Sequence, residues 1–121
     1  MNESVLDTPK QKLDETMWVL NNGSYTPTPE ATEKINSVIE WVMIKTGINS
    51  FKVHITGSIT SNQYSDDSDI DLHFISETFT DEMVEDLNKN IRGLFQTEYK
   101  TVNDVNIGTH EIEIYFQINE F

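Results

Sequence analysis

The sequence predicts a small α/β domain of the α+β kind, a mixed sheet with helices packed mainly on one face. Three observations carry that prediction. Residues 28–47 and 80–95 place apolar side chains at helical spacing behind a capping threonine. Residues 51–55 and 69–75 alternate polar and apolar side chains with period two, and 102–107 and 110–116 read as two further strands. From residue 28 the segments run helix, strand, strand, helix, strand, strand in a chain of 121 residues, a length that suits one domain.

Residues 1–27 read as an appendage to a core of residues 28–121. Thr8-Pro9 is a helix start, with Leu13, Met17 and Leu20 as its stripe and Asn22-Gly23 as its stop. The stretch from Ser24 to Pro29 contains two prolines and reads as a loop. Thr28 then caps a helix over residues 29–46. Pro29 sits at its first position, where the missing N–H has no intrahelical partner to lose. Ile35, Val38, Ile39, Val42 and Met43 make one apolar stripe, and Gly47 supplies the left-handed residue that ends the helix.

Phe51-Lys52-Val53-His54-Ile55 alternates as a strand that ends at Thr56-Gly57-Ser58, and a polar loop follows. Residues 69–75 alternate again, with Ile70, Leu72 and Phe74 on one face. Thr80 caps the second helix, and Asp81 and Glu82 lie near the positive end of its dipole. Its stripe is Val84, Leu87, Ile91, Leu94 and Phe95. Residues 102–107 and 110–116 read as two strands joined around Gly108-Thr109.

The charge balance is 8 basic against 21 acidic residues, a formal net of −13. Such a surface disfavours affinity won by neutralising nucleic-acid phosphates or anionic lipid. With no cysteine, thiolate metal sites, disulfides and cysteine nucleophiles are excluded. The start Met1-Asn2-Glu3-Ser4 lacks a basic region and an apolar stretch, and no apolar run approaches a membrane span. A cytoplasmic protein with no membrane partner is the expectation.

Chemistry concentrates in Gly57-Ser58, ten intervening residues, and Asp69-Ile70-Asp71-Leu72. Residues two apart in a strand share a side, so the two carboxylates stand roughly 6.5–7 Å apart at the backbone. Adjacent anions are unfavourable unless a cation lies between them, and Mg²⁺ with oxygen ligands meets that need. Gly57 lets the backbone approach a ligand, and Ser58 offers N–H and hydroxyl donors to a phosphate oxygen. A third carboxylate is expected from His110-Glu111-Ile112-Glu113-Ile114-Tyr115, where Glu111 and Glu113 share a face. Glu113, flanked by isoleucines, is the favoured residue and Glu111 the reserve.

Gly57-Ser58, then Ser68-Asp69-Ile70-Asp71-Leu72, then Ile112-Glu113-Ile114 resembles the pattern of the DNA polymerase β-like nucleotidyltransferase superfamily, over roughly residues 28–118. The resemblance implies the small nucleotidyltransferase fold. It also implies transfer of a nucleoside monophosphate from a nucleoside triphosphate to an acceptor, with two Mg²⁺ ions, or Mn²⁺ in their place. By position, Asp69 and Asp71 would bind both metals. Glu113 would bind the catalytic one and help activate the acceptor. Gly57 and Ser58, with Ser68, would hold the nucleotide. Two ions about 3.5–4 Å apart would stabilise the attacking and leaving oxygens. The acidic surface favours a small-molecule or protein acceptor over a long nucleic acid.

No Lys or Arg occurs between Lys52 and Lys89, whereas many small members of that superfamily carry a basic residue soon after Gly-Ser. A second reading therefore stands beside the first. On it, the chain is a nucleotidyltransferase-fold binding module, antitoxin-like or a phage accessory protein, that works with a protein partner or a second copy of itself. A calcium loop fails, because Leu72 stands where its glycine is required and Thr78 where its bidentate Glu belongs. His54, His73 and His110 lie on separate strands and read as satisfied or exposed side chains rather than zinc ligands. Ser58 lacks the surroundings of a nucleophile elbow.

Overall fold

The computed structural model describes residues 18–21, 24–56 and 69–119. Pro29–Thr46 is helix α1. Thr28 accepts a hydrogen bond from the Ala31 N–H at its start, and Gly47 ends it at φ +70°. Lys52–Thr56 and Ile70–Ile75 are strands β3 and β4. Thr80 accepts from the Met83 N–H and opens α2, in which Asp81–Asp86, Leu87–Ile91, Arg92–Leu94, Phe95–Tyr99 and Lys100–Val102 follow one another without a break. Asn106–Ile107 is β5 and His110–Gln117 is β6. Ahead of them, Trp18–Asn21 (β1) pairs antiparallel with Ser24–Pro27 (β2).

The main sheet has the order β3-β4-β6-β5. β3 and β4 are antiparallel, β4 and β6 parallel, and β5 and β6 antiparallel. A parallel pair needs a crossover, and α2 provides it between β4 and β6. Ile70, Leu72 and Phe74 of β4 and Ile112, Ile114 and Phe116 of β6 are buried on one face. They pack with Ala31, Ile35, Val38 and Val42 of α1 and Leu87 and Phe95 of α2 in one core. The described residues are thus mixed α/β, with a four-stranded mixed sheet, the β1–β2 pair and two helices. Among the described residues no helix is long and apolar enough to cross a membrane.

Four expectations are corrected. Trp18–Asn21 is a strand rather than the end of a helix, and Ser24–Pro27 is its partner rather than a loop. Residues 8–17 of the expected helix lie outside the described residues. Asn22-Gly23, read above as a helix stop, is also a preferred sequence for a two-residue hairpin loop. Residues 102–105 are not strand. The helix runs through Val102, and the Asp104 carboxylate then accepts the Asn106 N–H, leaving only two residues for β5. Met43 and Leu94, assigned to the apolar stripes, are 38% and 39% exposed.

α2 alternates α-turns with wider π-turns, marked by bonds from the Arg92 N–H to the Leu87 carbonyl and from the Lys100 N–H to the Phe95 carbonyl. An α-turn over-rotates a four-residue step and a π-turn under-rotates it, so the alternation keeps rows of residues four apart parallel to the axis. One row, Leu87, Ile91, Phe95 and Tyr99, meets the core, where Trp41 packs at 5.8 Å from Phe95 and 5.4 Å from Tyr99. The neighbouring row, Asn88, Arg92, Gln96 and Lys100, faces β6.

β5 is too short to cover β6, and an uncovered strand leaves N–H and C=O groups open. Asn88 fills part of that need. Its amide donates to the Phe116 carbonyl at 2.9 Å and accepts the Phe116 N–H at 2.9 Å. Nearer β5, the Val105 carbonyl accepts the Ile112 N–H. We predict that Asn88→Ala lowers unfolding free energy by about 1–2 kcal/mol, through two half-buried backbone groups left without a protein partner. Urea unfolding measures it, and an unchanged midpoint would show that solvent serves that edge equally well.

Candidate functional site

The register that buries one face of the sheet sets out the other. Thr56 pairs with Asp71, and Asp71 with Glu113, so these three residues form one row across β3, β4 and β6. The next row is His54, His73 and Tyr115. Asp69 is exposed immediately before β4, two residues upstream of Asp71. The structure therefore brings Asp71 beside Glu113 and leaves Asp69 at the same corner. Gly57, Ser58 and Ser68 lie outside the described residues; the chain enters Gly57-Ser58 directly from Thr56.

Asp71 and Glu113 differ in their partners. Gln96 donates to Glu113 Oε1 at 2.8 Å, and Lys100 Nζ donates to Glu113 Oε2 at 2.5 Å and to Glu111 Oε2 at 2.7 Å. The Lys100 side chain is only 10% exposed and its ammonium lies 5.2 Å from the Phe95 ring centroid. Glu111 and Glu113 thus share one enclosed cation. Among the described residues Asp71 has no such neighbour: burial first, then the charges of Asp69 and Glu113, push its carboxyl above the usual range, with His73 and Arg92 opposing. The Tyr115 hydroxyl is likewise pushed up, by burial and then by Asp71.

The row beyond is aromatic. His73 stacks on Tyr115 with centroids 4.9 Å apart, and His73 Nδ1 lies 2.6 Å from Gln117 Oε1. Arg92 covers the Tyr115 ring at 4.3 Å from the centroid. Arg92, Gln96 and Lys100 are the site residues that the sequence did not single out. Their one signal is a polar row at spacing four beside the apolar row, which ordinary solvent-facing helix surfaces share.

The pair of carboxylates at Asp69 and Asp71, oxygen ligands at one corner, fits a hard cation. Glu113 fits as a third ligand only when Lys100 and Gln96 release it. Among the described residues, no group of three or more His, Asp or Glu side chains is gathered closely enough to hold a metal ion. A cleft of about 600 Å³ lies at the far end of the sheet, beside the Lys52–Ile75 pair and Ile118, away from the acids. No protein-family model, no curated protein and no solved structure matches the chain.

The raised affinity of Asp71 for a proton has a sign that can be checked. Folding holds that proton more tightly than the unfolded chain does. The stabilisation is therefore full below pH 3.8 and is lost as pH rises through the higher folded value. Asp71→Asn is expected to unfold at higher denaturant than wild type at pH 7, with the difference gone below pH 3.8. A variant no more stable than wild type at pH 7 would mean that another cation already compensates Asp71.

Proposed function

We propose that the chain is a metal-dependent nucleotidyltransferase that moves a nucleoside monophosphate from a nucleoside triphosphate to a small-molecule or protein acceptor. One observation carries the reading: the parallel register sets Asp71 directly beside Glu113, with Asp69 at the same corner. Those are the three acids that the nucleotidyltransferase-like pattern requires together. The α+β sheet, with its acids on one face and its helices packed against the other, suits the small nucleotidyltransferase fold. Asp69 and Asp71 would hold Mg²⁺, or Mn²⁺ in its place, and Glu113 would join them. The metal, when bound, would neutralise and polarise the phosphates. Glu113 is then the carboxylate placed to take a proton from the acceptor hydroxyl, once Lys100 turns away. Gly57, Ser58 and Ser68 complete the nucleotide contacts in this reading.

The second reading, a binding module with little or no catalysis, has an observation of its own. Both carboxylate oxygens of Glu113 already have donors inside the chain, Gln96 on one and Lys100 on the other.

Titration of the protein with nucleoside triphosphate, with and without Mg²⁺, tests the first reading, alongside transfer of labelled nucleotide. Mg²⁺-dependent binding is expected, weakened at least tenfold by Asp69→Ala/Asp71→Ala through loss of charge-assisted contacts. Unchanged binding in the double variant sinks it, and stable co-purification with a partner without nucleotide binding favours the second. Lys100→Met removes the competing cation, so Mg²⁺ affinity should rise; an unaltered affinity would remove Glu113 from the ligand set.

A further inference from the structure

Arg92 is the chain's one arginine, in a sequence with 21 acidic residues. Among the described residues Lys34, Lys45 and Lys100 form ion pairs with carboxylates, whereas the exposed Lys89 and the half-buried Arg92 form none. Its Nε is buried without a hydrogen-bond partner. A buried N–H left unpaired is unfavourable, and where a folded protein keeps one it calls for an explanation. The guanidinium is nevertheless firmly placed. It lies over Tyr115, Tyr115 stacks on His73, and His73 is tied to Gln117. An arginine braced on a ring keeps its planar fork of donors pre-organised for a partner with two or more oxygens.

Location narrows the partner. Tyr115 and His73 form the row next to Asp71 and Glu113. The Arg92 charge is felt at Asp71, where it opposes the upward push of burial. A ligand in this corner meets carboxylates on one side and a guanidinium fork on the other. A phosphoryl group suits both, because it can give one oxygen to a cation held by Asp69 and Asp71 and two to the fork.

We propose that Arg92, braced on Tyr115, grips a phosphoryl group of the substrate over the His73–Tyr115 row. It thereby supplies the basic group that the sequence lacks between Lys52 and Lys89. The nucleotide-transfer reading is needed here for the source of the phosphate, which is either the triphosphate itself or a phosphorylated acceptor.

Calorimetric titration with Mg-ATP, Mg-tripolyphosphate and ribose 5-phosphate distinguishes the two sources. Arg92→Met keeps the packing on Tyr115 and removes the charge; Arg92→Lys keeps the charge and removes the fork, and serves as a second variant if the first unfolds. Both are checked for wild-type unfolding midpoints. Loss of roughly ten- to hundredfold in affinity is expected for Arg92→Met, with Arg92→Lys recovering only part of it. Loss for Mg-ATP and Mg-tripolyphosphate assigns the grip to the triphosphate. Loss for ribose 5-phosphate alone assigns it to the acceptor. If wild type binds Mg-ATP and both variants bind Mg-ATP, Mg-tripolyphosphate and ribose 5-phosphate as wild type does, the Arg92 proposal is overturned and the nucleotide reading stands. If wild type ignores Mg-ATP yet binds ribose 5-phosphate through Arg92, the nucleotide reading falls and the phosphate grip stands. Binding of none of the three by wild type overturns both.

Discussion

The pairing of β4 with β6 is the constraint on which the rest depends. Its register sets Ile70 against Ile112, Leu72 against Ile114 and Phe74 against Phe116, and all six are buried. Side chains alternate strictly along a strand, so a slip by one residue would send every one of them to the opposite face. The same register leaves Asp71 against Glu113 and His73 against Tyr115 on the polar face. Core and candidate site are therefore two consequences of one alignment, and the burial of the isoleucines and phenylalanines is what holds the acids together.

Much of this fold was readable from local pattern. The caps at Thr28 and Thr80, the end of α1 at Gly47 and the alternation in β3, β4 and β6 follow from neighbouring residues alone. The elements that local pattern does not fix depend on contacts between distant residues, or on signals with two meanings. Asn22-Gly23 suits a helix stop as well as a hairpin, and the choice between them lies in the pairing of Trp18–Asn21 with Ser24–Pro27. α2 continues past Phe95 because Tyr99 packs on Trp41 and Lys100 reaches two glutamates. Nothing within residues 96–102 announces either contact. Spacing for a regular α-helix puts Leu94 in the stripe beside Phe95, whereas the π-turns carry the buried line from Phe95 on to Tyr99 and leave Leu94 39% exposed.

The acids of the candidate site stood out because their signal is short-range, two aspartates interleaved with apolar strand residues. The cations did not, because each acts far from its place in the chain. Lys34 of α1 reaches Asp104 and the Asn106 carbonyl, and Lys45 of α1 reaches Glu98 of α2 at 2.6 Å. Lys100 of α2 reaches Glu111 and Glu113 of β6. In a chain of net charge −13, these cations sit at the joints between elements. A count of charges describes a solvated acidic surface and says nothing of such placement.

The paired rows on α2 restrict how this helix can vary in length. Leu87, Ile91, Phe95 and Tyr99 meet the core, and Asn88, Arg92, Gln96 and Lys100 meet β6 and its polar face. Inserting or deleting one residue midway would turn everything downstream by about 100°. Tyr99 would leave Trp41 in the same event that took Lys100 from its glutamates. Substitution can tune either row by itself, but a shift of frame disrupts both, so only changes of whole turns leave the helix serviceable.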